Sequence, residues 1–229
     1  TQFKGWTLNN VLEHLHMWNW AANESHADED NFVSWLTSAM KSIGQSNMRT
    51  YEAQWVDGLS GRALLETWHE FYTAMAERMV DIDPKKRLKW AGPDMSARSS
   101  ISARLMETWA HGQEVYDHLG VTRANKDHIR AIVVLGTNTF GWTYATRGET
   151  PPGPMPYVCL SAPSGEIWEF GEKSDEERVE GNAADFCQVV TQVRNIADTD
   201  LRVTGPIATD WMSKAQCFAG APETPPSRA

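Results

Sequence analysis

Apolar residues recur at helical spacing over most of the first 147 residues. After Thr7, which is a good N-cap, the apolar positions follow the i, i+3, i+4, i+7 pattern: Leu8, Val11, Leu12, Leu15 and Trp18. This pattern predicts a helix that ends near Asn23. The same spacing predicts four more helices, over about 31–53, from about residue 60, over 96–119 with Gly120 as its C-terminal glycine, and over 125–145.

The pattern changes after a segment rich in proline and glycine, residues 148–156, which cannot continue a helix. Residues 157–160 and 167–170 resemble strands joined by a turn, and they precede a helix over 182–193, a short strand near 201–203 and a last helix over 206–218. The predicted fold is mainly α, an up-and-down helical bundle (1–147) followed by a small α+β C-terminal domain (157–221). Residues 148–156 are the predicted linker, and 222–229 a flexible tail.

Composition narrows the classes of partner. The 229 residues carry 21 basic and 30 acidic side chains, a net charge of −9, which argues against a nucleic-acid or membrane partner. No apolar run reaches the length of about 18 residues that a spanning helix needs. No signal peptide precedes the first helix, so a cytoplasmic location is expected, and because the chain begins at Thr1 we expect that an N-terminal segment is missing.

Three cysteines, Cys159, Cys187 and Cys217, lie far apart and form no CxxC pair. This spacing argues against both a disulfide framework and a thiolate zinc site. Reduced, buried cysteines are the expectation.

The pair Glu107 and His111 is the most informative set of polar residues. Four positions apart on a predicted helix, the two side chains project from one face and can chelate one divalent metal, such as zinc. Their stripe lies beside an apolar ridge formed by Ile101, Leu105, Gly112, Val115 and Leu119. From spacing alone, a solvated ion pair is the favoured alternative.

A chelate needs a third ligand, and His14 is the best candidate. It lies on the second turn of the first predicted helix, about 60° from the apolar ridge of that helix. His16 points about 160° away from His14, so the two cannot share one site. A boundary histidine bonded to backbone is the alternative, and spacing alone favours it.

Two groups of motifs carry a resemblance to a known family. Gly5-Trp6-Thr7 followed by Val11-Leu12 and His14-Leu15 resembles the GWT…VxxHL signature of the DinB-like, mycothiol-dependent maleylpyruvate isomerase superfamily. The stretches 91–96 and 106–113, the latter reading Met-Glu-Thr-Trp-Ala-His-Gly-Gln, resemble a bacterial metal-binding branch of it, as do 185–187, 191–192 and 211–220. The resemblance therefore covers nearly the whole chain.

The resemblance implies a DinB-like four-helix bundle with a small C-terminal α/β domain and a metal, usually zinc, in the bundle. Carried over residue by residue, it implies His14, Glu107 and His111 as metal ligands, and so reverses the preference from spacing. It also implies a helix before the GWT loop that this chain lacks. A low-molecular-weight thiol such as mycothiol is the implied cofactor, but its binding residues are not identified.

Three functions follow from these observations. Three protein ligands leave a metal position open, so the first is an enzyme that activates a thiol for transfer to, or isomerisation of, a small electrophilic substrate. Arg104, one turn before Glu107, would anchor a carboxylate of substrate or thiol, with a surface salt bridge as its alternative. The second function is a metal-dependent hydrolase, and the third a non-catalytic metal-binding or ligand-binding module. The expected partner is a small-molecule substrate, and a homodimer is compatible with the sequence.

Overall fold

The computed structural model describes Thr1 and residues 4–227. By compactness the chain divides into two units, Thr1–Arg104 and Leu105–Ala229. The division falls inside one continuous helix rather than at the predicted linker, and the domain boundary predicted at 147 stays a prediction. The predicted fold class is confirmed, since helices dominate the described residues and the larger sheet is formed by strands of the C-terminal part. Among the described residues, no helix combines the length and apolar character that crossing a bilayer requires.

The first unit contains four helices followed by a short hairpin and the start of a fifth helix. The elements are α1 (Leu8–Ala27), α2 (Glu29–Gln45), α3 (Met48–Trp55), α4 (Gly61–Met79), β1 (Arg87–Leu88), β2 (Met95–Ser96) and α5 (Ala97–Leu119). Helix α1 packs against α2, α3 and α4 and is therefore the central element of this unit.

Side-chain caps set two of the helix boundaries. Thr7 accepts a hydrogen bond from the Asn10 backbone N–H, and the Asn10 side chain accepts one from the Thr7 N–H, which confirms the predicted start of α1. The single helix predicted over 31–53 is wrong. Asn47 caps a new helix by accepting the Thr50 N–H, and the chain there separates α2 from α3.

Aromatic side chains form the core of the first unit. Met17, Trp18, Ala21 and Phe32 are buried together, and half-buried rings surround them: Trp20, Trp35, Tyr51, Trp55 and Trp90. The rings of Phe32 and Trp90 stack with centroids 5.9 Å apart, and Trp18 meets Trp35 edge-on.

The second unit combines short helices with a four-stranded sheet. Its elements are α6 (Arg130–Asn138), α7 (Phe140–Ala145), β3 (Tyr157–Ser161), β4 (Ile167–Phe170), β5 (Arg178–Asn182), α8 (Ala183–Val190), β6 (Arg202–Thr204) and α9 (Pro206–Lys214). The strand order is β4-β3-β5-β6, in which β3 and β5 run parallel and the other pairs are antiparallel. Trp109, Phe140, Tyr144, Phe186 and Trp211 contribute the large side chains of its core.

Three predictions for this unit need correction. The helix predicted over 125–145 is interrupted at Thr139, which ends α6 and begins α7. The last helix ends at Lys214 instead of Phe218. Strand β5 was not predicted, because Arg178, Glu180 and Gly181 leave it without apolar alternation.

Side chains from the second unit donate hydrogen bonds to backbone carbonyls of the segment predicted as a flexible tail. The side chains of Arg147 and Gln192 donate to the Glu223 carbonyl, and Asn195 donates to the Pro226 carbonyl. Arg228 and Ala229, the last two residues of that segment, lie outside the described residues.

All three cysteines are free thiols. Cys187 and Cys217 are buried as expected, whereas Cys159 is only half-buried. Burial raises the pKa of the Cys187 thiol and of the Cys217 thiol.

Candidate metal centre

Helix α1 presents His14 against a buried carboxylate. His14 Nδ1 lies 2.6 Å from Oε1 of Glu52, a residue of α3 that has no exposed surface. The same oxygen accepts a hydrogen bond from Trp18 Nε1 at 3.2 Å. The ring of Trp6 lies beside His14, with centroids 5.3 Å apart. The contact with buried Glu52 therefore fixes the position of His14 Nδ1.

Arg49 supports that carboxylate from the other side. Its guanidinium pairs with Glu52 and with Glu13, a second buried carboxylate, and lies over the Trp6 ring at 4.5 Å. One guanidinium nitrogen also donates to the Asn10 carbonyl at 3.1 Å. Buried carboxylates are costly unless they are paired, and Arg49 supplies the pairing for both.

Helix α5 presents the second group of ligands. The Nε2 atom of His111 lies 3.6 Å from Glu107 Oε2, and Nδ1 lies 3.2 Å from Glu114 Oε1. His111 and Glu114 are buried, and Glu107 is half-buried. The imidazole thus lies between two carboxylates of the same helix, one about a turn before it and one about a turn after it.

Two opposing effects act on His111. Burial by itself lowers the pKa of this imidazole, but its pairing with Glu107 and Glu114 outweighs burial and raises the pKa to about 9. At neutral pH the metal-free imidazole of His111 is therefore in the cationic form, with a proton on each ring nitrogen. A metal ion bound at Nε2 would replace the proton there, and the two carboxylates would favour its positive charge as they favour that of the proton.

The buried face of α5 differs from the predicted one. Ile101 and Leu119, assigned to the apolar ridge, are exposed. The buried face carries Trp109 in the core of the second unit and, beside it, the polar side chains His111, Gln113 and Glu114. The predicted ridge was wrong because the prediction assumed that buried positions of this helix are apolar. Two hydrogen bonds hold Trp109 in place. Its Nε1–H donates to the Asn125 side chain, and the Arg123 guanidinium donates to the Trp109 backbone carbonyl.

The three residues predicted as metal ligands belong to two units of the chain. His14 lies in the first unit, and Glu107 and His111 lie in the second, so their assignment to one metal stays a prediction. Two imidazoles and one carboxylate are donors that zinc accepts.

Two further residues considered in the sequence analysis, His16 and Arg104, are both buried. His16 is buried with its ring edge-on to Trp55 and Phe71. Burial lowers the pKa of His16, which favours the neutral ring. Arg104 is buried with its guanidinium 5.2 Å from the centre of the Trp90 ring, so its side chain is not on the surface.

Sequence reasoning missed the carboxylates behind the histidines. Glu114 could have been found, because it follows His111 by three positions on the same helix. Glu52 gave no signal, since it lies 38 residues from His14 and only the packing of α3 on α1 brings the two together.

Comparison with known proteins decides the family. Residues 1–116 match the family model described as "Mycothiol maleylpyruvate isomerase N-terminal domain". Two Mycobacterium tuberculosis proteins, "Uncharacterized protein MT0041" and "Uncharacterized protein Rv0036c", are each 35% identical to this chain over 222 residues. Each match covers 97% of this chain and 86% of the relative.

The chain belongs to the mycothiol maleylpyruvate isomerase N-terminal domain family. The resemblance drawn from the sequence motifs is thereby confirmed, and the matched range includes His14, Glu107 and His111. No solved structure matches the chain.

Proposed function

We propose that this protein binds one divalent metal ion, preferentially zinc, through His14, Glu107 and His111, and uses it to activate a low-molecular-weight thiol. The observation that carries the proposal is the contact that each of the two histidines makes with a carboxylate. Each has its Nδ1 atom beside a buried carboxylate, Glu52 for His14 and Glu114 for His111. Histidines that ligate metals are held in this way, with the other nitrogen directed to the ion.

The donor set fits a catalytic zinc better than a structural one. Structural zinc sites are closed by four protein ligands, whereas two histidines and one glutamate leave a position for water or substrate. When bound at this position, zinc would supply Lewis acidity that lowers the pKa of a thiol, so that the thiolate would be available at neutral pH.

The other residues contribute orientation and charge. Glu52 and Glu114 hold the two imidazoles, and Arg104 would anchor a carboxylate of the thiol or of a small electrophilic substrate. Arg104 is suited to this because its guanidinium is buried against Trp90, where an anionic partner is attracted more strongly than in water. Membership of a family described by mycothiol supports a thiol as the second reactant.

Thiol consumption tests this function. Zinc-loaded protein is mixed with mycothiol and maleylpyruvate, then with a panel of small electrophiles, and loss of thiol or conversion of substrate is followed. We expect a rate that needs both zinc and thiol. It should fall to the rate without protein in His111→Ala, because two remaining ligands hold zinc poorly, and stay near wild type in His16→Ala.

Two results would count against the proposal. One is a zinc-loaded wild type that accelerates no reaction of any thiol in the panel. The other is a rate that is the same in His111→Ala as in wild type.

A further inference from the structure

Building on the proposed function, we infer that Glu52 is a positioning residue for the metal centre: it accepts the Nδ1–H of His14 and so presents Nε2 to the ion. Glu52 lies on α3, outside the three proposed ligands and outside the motifs that marked them. It is fully buried and contacts His14 directly, at 2.6 Å.

The partners of Glu52 fix the direction of each hydrogen bond. Trp18 Nε1–H and the Arg49 guanidinium are donors with no accepting capacity, so Glu52 accepts from both. A carboxylate held by a guanidinium offers only lone pairs to a third partner. His14 must therefore donate its Nδ1–H, and in the neutral ring the lone pair is then on Nε2.

Arg49 keeps the carboxylate in place. Arg49 and Glu52 are three residues apart on α3, so the ion pair forms within one helical turn. Stacking of Arg49 on Trp6 and its bond to the Asn10 carbonyl tie this turn to the start of α1. His14 lies one turn further along α1, so the same contacts that hold Arg49 also set the distance from Glu52 to His14.

Glu13 provides a matched control. It is buried, pairs with the same Arg49 and accepts hydrogen bonds from Asn9 and Asn10, whereas Glu52 contacts the His14 ring directly. A purely structural role for Glu52 predicts equal effects of neutralising either carboxylate. A positioning role predicts an effect on metal binding for Glu52 only.

The experiment combines zinc affinity with the tautomer of His14. Zinc affinity is measured by competition with a chromogenic chelator for wild type, Glu52→Gln and Glu13→Gln. In the metal-free proteins, long-range ¹H–¹⁵N NMR spectra report which His14 nitrogen carries the proton, with His14→Gln used for assignment. We expect Nδ1–H in wild type, and a loss of zinc affinity of about 10–100-fold with a changed tautomer in Glu52→Gln. Glu13→Gln should keep the tautomer and stay within about threefold of wild-type affinity.

Each contrary outcome has a distinct meaning. A wild-type His14 that carries its proton on Nε2 overturns the inference, and this reading needs no variant to fold. Equal zinc affinities for Glu52→Gln and Glu13→Gln also overturn it, while leaving the proposed function standing. A wild type that binds no zinc overturns the proposed function, and the role of Glu52 at a metal centre falls with it, whatever the tautomer of His14.

Discussion

At the scale of the residue, the candidate metal centre is distinguished by its buried ionisable side chains. Glu52, His111 and Glu114 each have less than a tenth of their surface exposed. Burying such groups costs several kcal/mol unless each is paired, and each is paired here. Replacing buried ion pairs by apolar residues is often neutral or stabilising, so a stable core alone does not require these groups, and their presence supports the proposed metal site.

The cysteines allow a prediction at the same scale. Burial raises the pKa of Cys187 and Cys217, so neither forms a reactive thiolate near neutral pH, whereas Cys159 is half-buried. In native protein at pH 8, we expect iodoacetamide to label Cys159 at least about tenfold faster than the other two, as read by peptide mass spectrometry.

Unfolding the protein in denaturant is the control for that experiment, since all three cysteines should then react alike. Labelling of Cys187 or Cys217 in native protein at the rate of Cys159 would show that the core of the second unit is open.

At the scale of the element, close packing of α6 on α8 depends on one glycine. A Cβ atom at Gly136 would lie 2.9 Å from Val190 Cγ2 and 3.1 Å from Phe186 Cε1. We expect Gly136→Ala to lower the free energy of unfolding by about 1–3 kcal/mol, because stiff side chains on α8 must shift.

Gly141, in α7, is the matched control because a Cβ atom there would meet no other atom within 4 Å. Gly141→Ala should leave stability unchanged or raise it by up to about 1 kcal/mol through helix propensity. Urea titrations of the two variants measure the difference, and equal stabilities would contradict the packing of α6 on α8.

Helices were more predictable than the faces that they bury. Thr7 and Gly120 marked the start of α1 and the end of α5 correctly, since caps and left-handed glycines act locally. The interruptions at Asn47 and Thr139 were missed, because apolar residues continue across both at helical spacing. The buried face of α5 was missed for the opposite reason, since it holds polar residues such as His111.

At the scale of the whole molecule, the proposed metal ligands come from helices far apart in the sequence. Spacing could relate Glu107 to His111, but no local rule relates either to His14 or His14 to Glu52. The family resemblance supplied His14, and only the packed structure supplied Glu52. The family match over residues 1–116 contains both histidines and both carboxylates behind them, so this part of the chain carries the proposed chemistry.

Metal content tests the central claim most directly. Protein purified without a histidine tag is analysed by elemental mass spectrometry, as wild type and as His14→Ala, Glu107→Ala and His16→Ala. The proposed function predicts about one divalent ion per chain, with zinc preferred, in wild type and His16→Ala, and loss of most of it in the other two, because two ligands chelate poorly. A wild type that stays empty after reconstitution with zinc would contradict the claim, and so would an ion lost in His16→Ala but kept in His14→Ala.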